Sequence, residues 1–137
     1  MKALLVDDEA LARRELRRLL AAHPWVEIIG EAANIDEAAS KVEALSPELL
    51  FLDIQMPGGT GFDLLTRLDR VPHVIFTTAY DQHAVRAFEV NALDYLLKPI
   101  EPERLAGALG RVKNANAVAV AERGAVRARR GRRRGRT

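Results

Sequence analysis

Asp7, Asp8, Asp53, Thr78 and Lys98 each close or directly follow a short apolar run, so a fold that lays those runs side by side gathers them at one rim. Three carboxylates converging there repel one another unless a cation sits among them. Oxygen donors without His or Cys suit a hard divalent ion, Mg²⁺ or Mn²⁺, that keeps several of its waters. A Lys ammonium and a Thr hydroxyl opposite such an ion complete a clamp for a phosphoryl group. A carboxylate attacking phosphorus in line makes an acyl phosphate, a recognised covalent mode. Singly, each residue has a plainer reading: an Asp after a strand caps a helix or lies in a solvated turn. Thr78 can satisfy backbone, and Lys98-Pro99 can be a surface turn. Recurrence at successive strand ends, with no competing cluster elsewhere, favours the chemistry.

The elements that must position these residues alternate in period. Lys2 to Val6 is a short apolar run that reads as a buried strand. Beyond it Ala12, Leu16, Leu19 and Leu20 share one helical face, and Arg13, Arg14, Arg17 and Arg18 take the other. Pro24 ends that helix, and Val26 to Gly30 makes a second strand. Asn34 with Glu37 is a capping pair for a helix burying Ile35, Ala38, Ala39 and Val42. Leu49 to Leu52 is apolar on both faces, as a central parallel strand requires, and ends at Asp53. A loop with Pro57-Gly58-Gly59 leads to a helix with Leu64, Leu65 and Leu68 inward. His73 to Thr78 is the fourth strand, Gln82 to Val90 the fourth helix, and Asp94 to Leu97 the fifth strand. Pro102 opens a last helix carrying Leu105, Leu109 and Val112. These alternations predict an α/β fold, a flavodoxin-like (βα)5 doubly wound parallel sheet in strand order 2-1-3-4-5. In such sheets the ligand site lies beyond the carboxyl ends of the strands, where the five residues fall.

The 137-residue length suits one domain with a core of its own. The absence of cysteine excludes disulfide scaffolds, thiolate metal sites and cysteine nucleophiles. No apolar run approaches the ~18 residues of a membrane span, and Asp7-Asp8 interrupts the amino terminus before a signal-peptide core forms. A cytoplasmic chain with no membrane partner is expected. The formal net charge of +2 averages two unlike materials. Residues 1–110 hold 11 basic and 18 acidic side chains, a charge of −7, whereas residues 111–137 hold 10 basic and one acidic, a charge of +9.

Val6-Asp7-Asp8-Glu9, Asp53-Ile54-Gln55-Met56-Pro57 with Gly61, Thr78-Ala79 and Asp94-Tyr95-Leu96-Leu97-Lys98-Pro99 together resemble the receiver domain of two-component response regulators. The likeness covers about residues 1–113, in order. Phe76-Thr77-Thr78-Ala79-Tyr80 and the run from Ala87 to Pro99 most resemble receivers of the LytTR-type subfamily. The resemblance implies a signalling phosphoacceptor rather than an enzyme, catalysing only its own phosphorylation and dephosphorylation. Asp53 would take a phosphoryl group from a sensor histidine kinase. Asp8 and Asp53 would bind Mg²⁺ directly with the backbone carbonyl of Gln55, Asp7 would bind it through water, and Lys98 would contact a phosphoryl oxygen. Thr78 would be the switch hydroxyl, since it precedes Ala79, and Tyr95 the aromatic that changes rotamer. The fourth helix, fifth strand and last helix would then pair two receivers as a homodimer. Gln55 and Tyr80 would tune the phosphate lifetime, a bulky Tyr80 obstructing the hydrolytic water.

Other readings fit less well. A haloacid-dehalogenase-like phosphatase needs aspartates at i and i+2 after its first strand, and here they are adjacent. A flavodoxin needs a Ser/Thr/Gly-rich phosphate loop where Asp7-Asp8-Glu9 would repel phosphate. His23, His73 and His83 lack ligand spacing, Trp25 reads as sheet-edge packing, and Met56 as a filler of the site loop. Residues 114–137 form a basic tail without aromatics that cannot build a core, expected to be disordered beyond a frayed helix end or a remnant of a linker to an absent output domain. In LytTR-type receivers that domain binds DNA and controls transcription. The alternative is a nucleic-acid-binding protein whose arginine-rich tail contacts phosphates, with the receiver fold as scaffold.

Overall fold

The structure, a computed structural model, describes residues 1–134. Five parallel strands form the main sheet: β1 (Lys2–Val6), β2 (Glu27–Ala32), β3 (Leu49–Asp53), β6 (His73–Thr78) and β7 (Asp94–Leu97). Their order across the sheet is β2-β1-β3-β6-β7, the doubly wound order expected, with the first strand near the middle and the direction of winding reversing there. β3 is buried along its whole length, which explains why Leu49 to Leu52 carries no polar alternation.

Alternation along the strands sorts two cores onto the two faces. Leu4, Val6, Leu50, Leu52, Val74 and Phe76 point to one side, where they meet α2 (Ile35–Leu45), α3 (Gly61–Arg67) and α4 (Ala84–Glu89). Ala3, Leu5, Leu49, Phe51, Ile75 and Leu96 point to the other, against α1 (Ala10–Leu20) and α5 (Pro102–Arg134). The caps follow local chemistry: Asn34 Oδ1 accepts from Glu37 N at 2.8 Å, and Thr60 and Asp63 form a reciprocal capping box for α3.

Three segments differ from the sequence reading. Gln55–Met56 (β4) and Gly59–Thr60 (β5) form a small antiparallel hairpin in place of a plain loop, turning at Gly58, whose φ of 84° suits glycine. The helix expected over Gln82 to Val90 is a 3₁₀ turn, Asp81–His83, followed by the short α4. It ends where Asn91 takes the left-handed conformation at φ 61°.

The third difference is at the carboxyl end. Leu105, Ala108, Leu109 and Val112 are buried, after which α5 leaves the core and continues to Arg134. Residues 114–134, read from composition as a frayed helix end passing into a disordered tail or a linker remnant, have helical backbone, in keeping with the high helix propensity of alanine and arginine. Residues 135–137 of that expected tail lie outside the described residues. Among the described residues, no helix is long and apolar enough to cross a membrane.

Candidate phosphoryl and metal site

Strand register builds the site. Val6 pairs with Leu52, so Asp7 and Asp53 leave neighbouring parallel strands side by side. Asp53 in turn pairs with Thr77, and Thr78 with Leu97, which brings Thr78 and Lys98 to the same rim. Lys98 N donates to the Thr78 carbonyl at 2.7 Å, fixing the turn that follows β7, and the Lys98–Pro99 peptide is cis. Behind the phosphoryl-side loop, Gly61 allows a close approach: a Cβ there would lie 2.6 Å from the Asp53 carbonyl oxygen and 3.0 Å from Leu52 Cγ. Gly61 N donates to the Ile54 carbonyl at 2.8 Å, so α3 begins directly against the chain that carries Asp53.

Carboxylate oxygens of Asp7, Asp8 and Asp53 lie within 4.8 Å of one another. Asp7 and Asp53 are buried and Asp8 is exposed, which leaves one open side. Lys98 Nζ sits 2.6 Å from Asp7 Oδ2 and 3.5 Å from Asp53 Oδ2. One ammonium therefore pairs with two of the three carboxylates and leaves Asp8 without an ion pair among the described residues, and an oxygen-only donor set with surplus negative charge fits a hard divalent ion. Burial, then the neighbouring charge of Asp7, pushes the Asp53 carboxyl up to about 6, against the pull of Lys98 and of the Ile54 N–H. Burial pulls Lys98 down, but its hydrogen bond to Asp7 and the charges of Asp53 and Asp7 outweigh it, and its pKa is raised. Asp7 itself is fixed by Glu9 N, which donates to Oδ1 at 2.9 Å.

Thr78 is fully buried, and its Oγ1 accepts from Tyr80 N at 3.3 Å. Tyr95 is half-buried, and its hydroxyl donates to the Tyr80 carbonyl. The backbone of Tyr80 thus links Thr78 to Tyr95, while its own ring is about half exposed. Three contributions were not legible in the sequence. The peptide groups of Tyr80 bond both Thr78 and Tyr95, a contribution separate from its ring. His83, one of the scattered histidines, places Nε2 3.3 Å from Gln55 Nε2 at the site mouth. Arg13, assigned only to a solvent-facing helix face, donates to the Asp7 carbonyl at 2.6 Å.

Beside Lys98, a cleft of about 490 Å³ lies among the start of α4, β7 and the first turn of α5, lined by Tyr95, Leu97 and Arg104. A larger one, about 950 Å³, opens at the other end of the sheet near Ser46, Arg70 and His73, away from the carboxylates. Convergent charge rather than volume marks the chemical site.

A doubly wound parallel sheet whose rim gathers three carboxylates and a lysine at the carboxyl ends of its strands defines a class of α/β domains with a site of the kind that can take a divalent ion. Residues 3–110 match the family of the response regulator receiver domain, and the chain belongs to that family. It is 52% identical over 114 residues to an uncharacterized response regulatory protein of Vibrio cholerae, covering 82% of this chain and 48% of that protein. It is 49% identical over 108 residues to the sensory transduction protein LytT of Enterococcus faecalis, covering 77% of this chain and 45% of LytT. This agrees with the LytTR-type resemblance. The transcriptional regulatory protein BtsR of Escherichia coli is 46% identical over 115 residues, covering 82% and 48%. Among solved structures, the response regulatory domain of mrkE from Klebsiella pneumoniae superposes with a TM-score of 0.76 at 34% identity, covering 84% of this chain and 97% of that domain. The chain spans about half the length of the curated relatives it matches. Nothing in these comparisons supports the alternative of a nucleic-acid-binding protein on a receiver scaffold.

Proposed function

We propose that Asp53 accepts a phosphoryl group from a phosphohistidine of a sensor kinase. Asp7, Asp8 and Asp53, with the backbone carbonyl of Gln55, would hold Mg²⁺, or Mn²⁺ in its place. When bound, the ion neutralises carboxylate and phosphoryl oxygens so that two anions can meet. A carboxylate oxygen of Asp53 forms the bond to phosphorus as the donor's nitrogen–phosphorus bond breaks, and the imidazole leaves with the electron pair. Lys98 shifts its ammonium from the carboxylates toward a phosphoryl oxygen. Thr78 turns its hydroxyl to another, giving up the hydrogen bond from Tyr80 N. Because the same residue's carbonyl holds the Tyr95 hydroxyl, Tyr95 changes rotamer with it.

The face formed by α4, β7 and α5 then pairs two copies of the chain. Exposed Phe88 and Leu97 give that face apolar contact area. Residues 1–113 act as the receiver, and residues 114–137 begin the connection to an output domain that binds DNA and regulates transcription. The protein works in the cytoplasm as a signalling switch whose only chemistry is its own phosphorylation and dephosphorylation. Gln55 and Tyr80 set how long the phosphate lasts.

The observation that carries this reading is the Lys98 ammonium lying between Asp7 and Asp53 inside the three-carboxylate cluster. Incubation with acetyl phosphate and Mg²⁺ followed by intact-mass measurement tests it. Wild type should gain one phosphoryl group and Asp53→Asn none.

A further inference from the structure

The structure assigns a positioning role to Arg13: it holds the Asp7–Asp8 peptide in the orientation that presents Asp8 to a divalent cation. The inference rests on the metal reading of the acidic rim proposed above.

Asp7 and Asp8 are adjacent, so the peptide plane between them decides where the Asp8 side chain emerges. Both backbone groups of Asp7 are held. Its N–H donates to the Ala32 carbonyl at 3.0 Å, as an extension of the β1–β2 pairing. Its carbonyl, which belongs to the Asp7–Asp8 peptide, accepts from the Arg13 guanidinium at 2.6 Å. The same guanidinium is anchored by Nε to Glu31 Oε1 at 2.9 Å, and the Arg13 side chain is largely buried, at 18% exposure. Glu31 lies on β2 next to Ala32, so one arginine from α1 ties the strand that binds Asp7 N to the carbonyl of the same residue. Asp8 itself is exposed and makes no ion pair among the described residues, so nothing on its own side chain orients it.

Arg17 supplies a built-in comparison. It also pairs with Glu31, at 2.9 Å to Oε2, from one turn further along α1, but it is half exposed. Its hydrogen bond goes to Glu31, and it takes no part in the bond to the Asp7 carbonyl. Removing either arginine deletes one positive charge near the site and one partner of Glu31. Only Arg13 also releases the Asp7–Asp8 peptide.

The two effects have opposite signs. Deleting a nearby positive charge strengthens the attraction of three carboxylates for a cation. Releasing a group that orients a ligand weakens metal binding, typically about tenfold or more. Titration of the full chain with Mn²⁺, read as free ion by electron paramagnetic resonance, separates them. The expected result is Mn²⁺ affinity lowered on the order of tenfold in Arg13→Ala, and unchanged or slightly raised in Arg17→Ala. Arg13→Lys keeps the charge but cannot bond Glu31 and the Asp7 carbonyl as a planar fork, so it should also bind more weakly. It provides the same test if Arg13→Ala fails to fold, as judged by circular dichroism. Affinity in Arg13→Ala and Arg13→Lys equal to or above wild type would overturn the assignment, as would equal losses in the Arg13 and Arg17 variants. Absence of Mn²⁺ binding by the wild type would overturn the metal reading itself, and this role with it.

Discussion

Lys98 reaches across 91 residues of sequence to place its ammonium 2.6 Å from the Asp7 carboxylate, closing the site from the β7 side while Asp53 lies within 3.5 Å of the same nitrogen. A single cation therefore holds together two buried acids that would otherwise repel.

Lys98→Ala leaves those acids without their partner. Breaking a buried ion pair costs several kcal/mol, and partial access to water reduces this to about 2 kcal/mol here. Urea unfolding without divalent ions should show that loss. Saturating Mg²⁺ should restore much of it by supplying the missing positive charge.

Asp53 carries the pH dependence. Its carboxyl is pushed up to about 6 in the fold against an ordinary value of 3.8, chiefly by burial. Between those two pH values the folded chain keeps a proton that the unfolded chain has lost. On this account stability of the metal-free protein falls as pH rises through the window, by about 3 kcal/mol in all. Asp53→Asn should abolish that decline and be more stable than wild type at pH 7.5 in chelator, with Mg²⁺ narrowing the gap. Lower stability for Asp53→Asn under those conditions would show that the charge is well accommodated.

Gly61→Ala introduces a methyl 2.6 Å from the Asp53 carbonyl oxygen. Backbone stands in the way rather than a flexible side chain, so α3 must shift away from β3. A loss of about 2 kcal/mol in thermal or urea unfolding is expected, together with slower phosphorylation by acetyl phosphate.

Tyr80→Ala should shorten the lifetime of the phosphorylated protein if its ring has the proposed role of obstructing the hydrolytic water, since the variant removes the ring and leaves the peptide that links Thr78 and Tyr95. Equal decay rates for wild type and variant would mean that only the backbone of Tyr80 matters.

The strand ends were readable because apolar runs closed by Asp7, Asp53, Thr78 and Lys98 report both burial and its limit. The capping bond of Asn34 was equally local. Thr78 and Thr77 separate by strand alternation: Thr78 shares the side of Phe76, and Thr77 that of Ile75. What escaped is not local. Arg13 has the periodicity of a solvated helix face, and only the packing of α1 against β2 turns it toward Asp7. The Gln55–His83 contact joins the β4–β5 hairpin to the 3₁₀ turn, 28 residues apart. The hairpin of β4 and β5 is too short for a periodic signal. The Thr60–Asp63 capping box at the start of α3 is local in spacing, but only the structure showed it. α4 is short because its expected first turn is the 3₁₀ turn Asp81–His83, which composition alone does not impose.

The central claim is that Asp53 forms the acyl phosphate. Treatment with acetyl phosphate and Mg²⁺, trapping with borohydride and peptide sequencing by mass spectrometry reads this residue by residue, because reduction converts an aspartyl phosphate to homoserine. Homoserine at position 53, dependent on Mg²⁺ and absent in Asp53→Asn, is the result predicted. Homoserine at another position, or none at any, would contradict it.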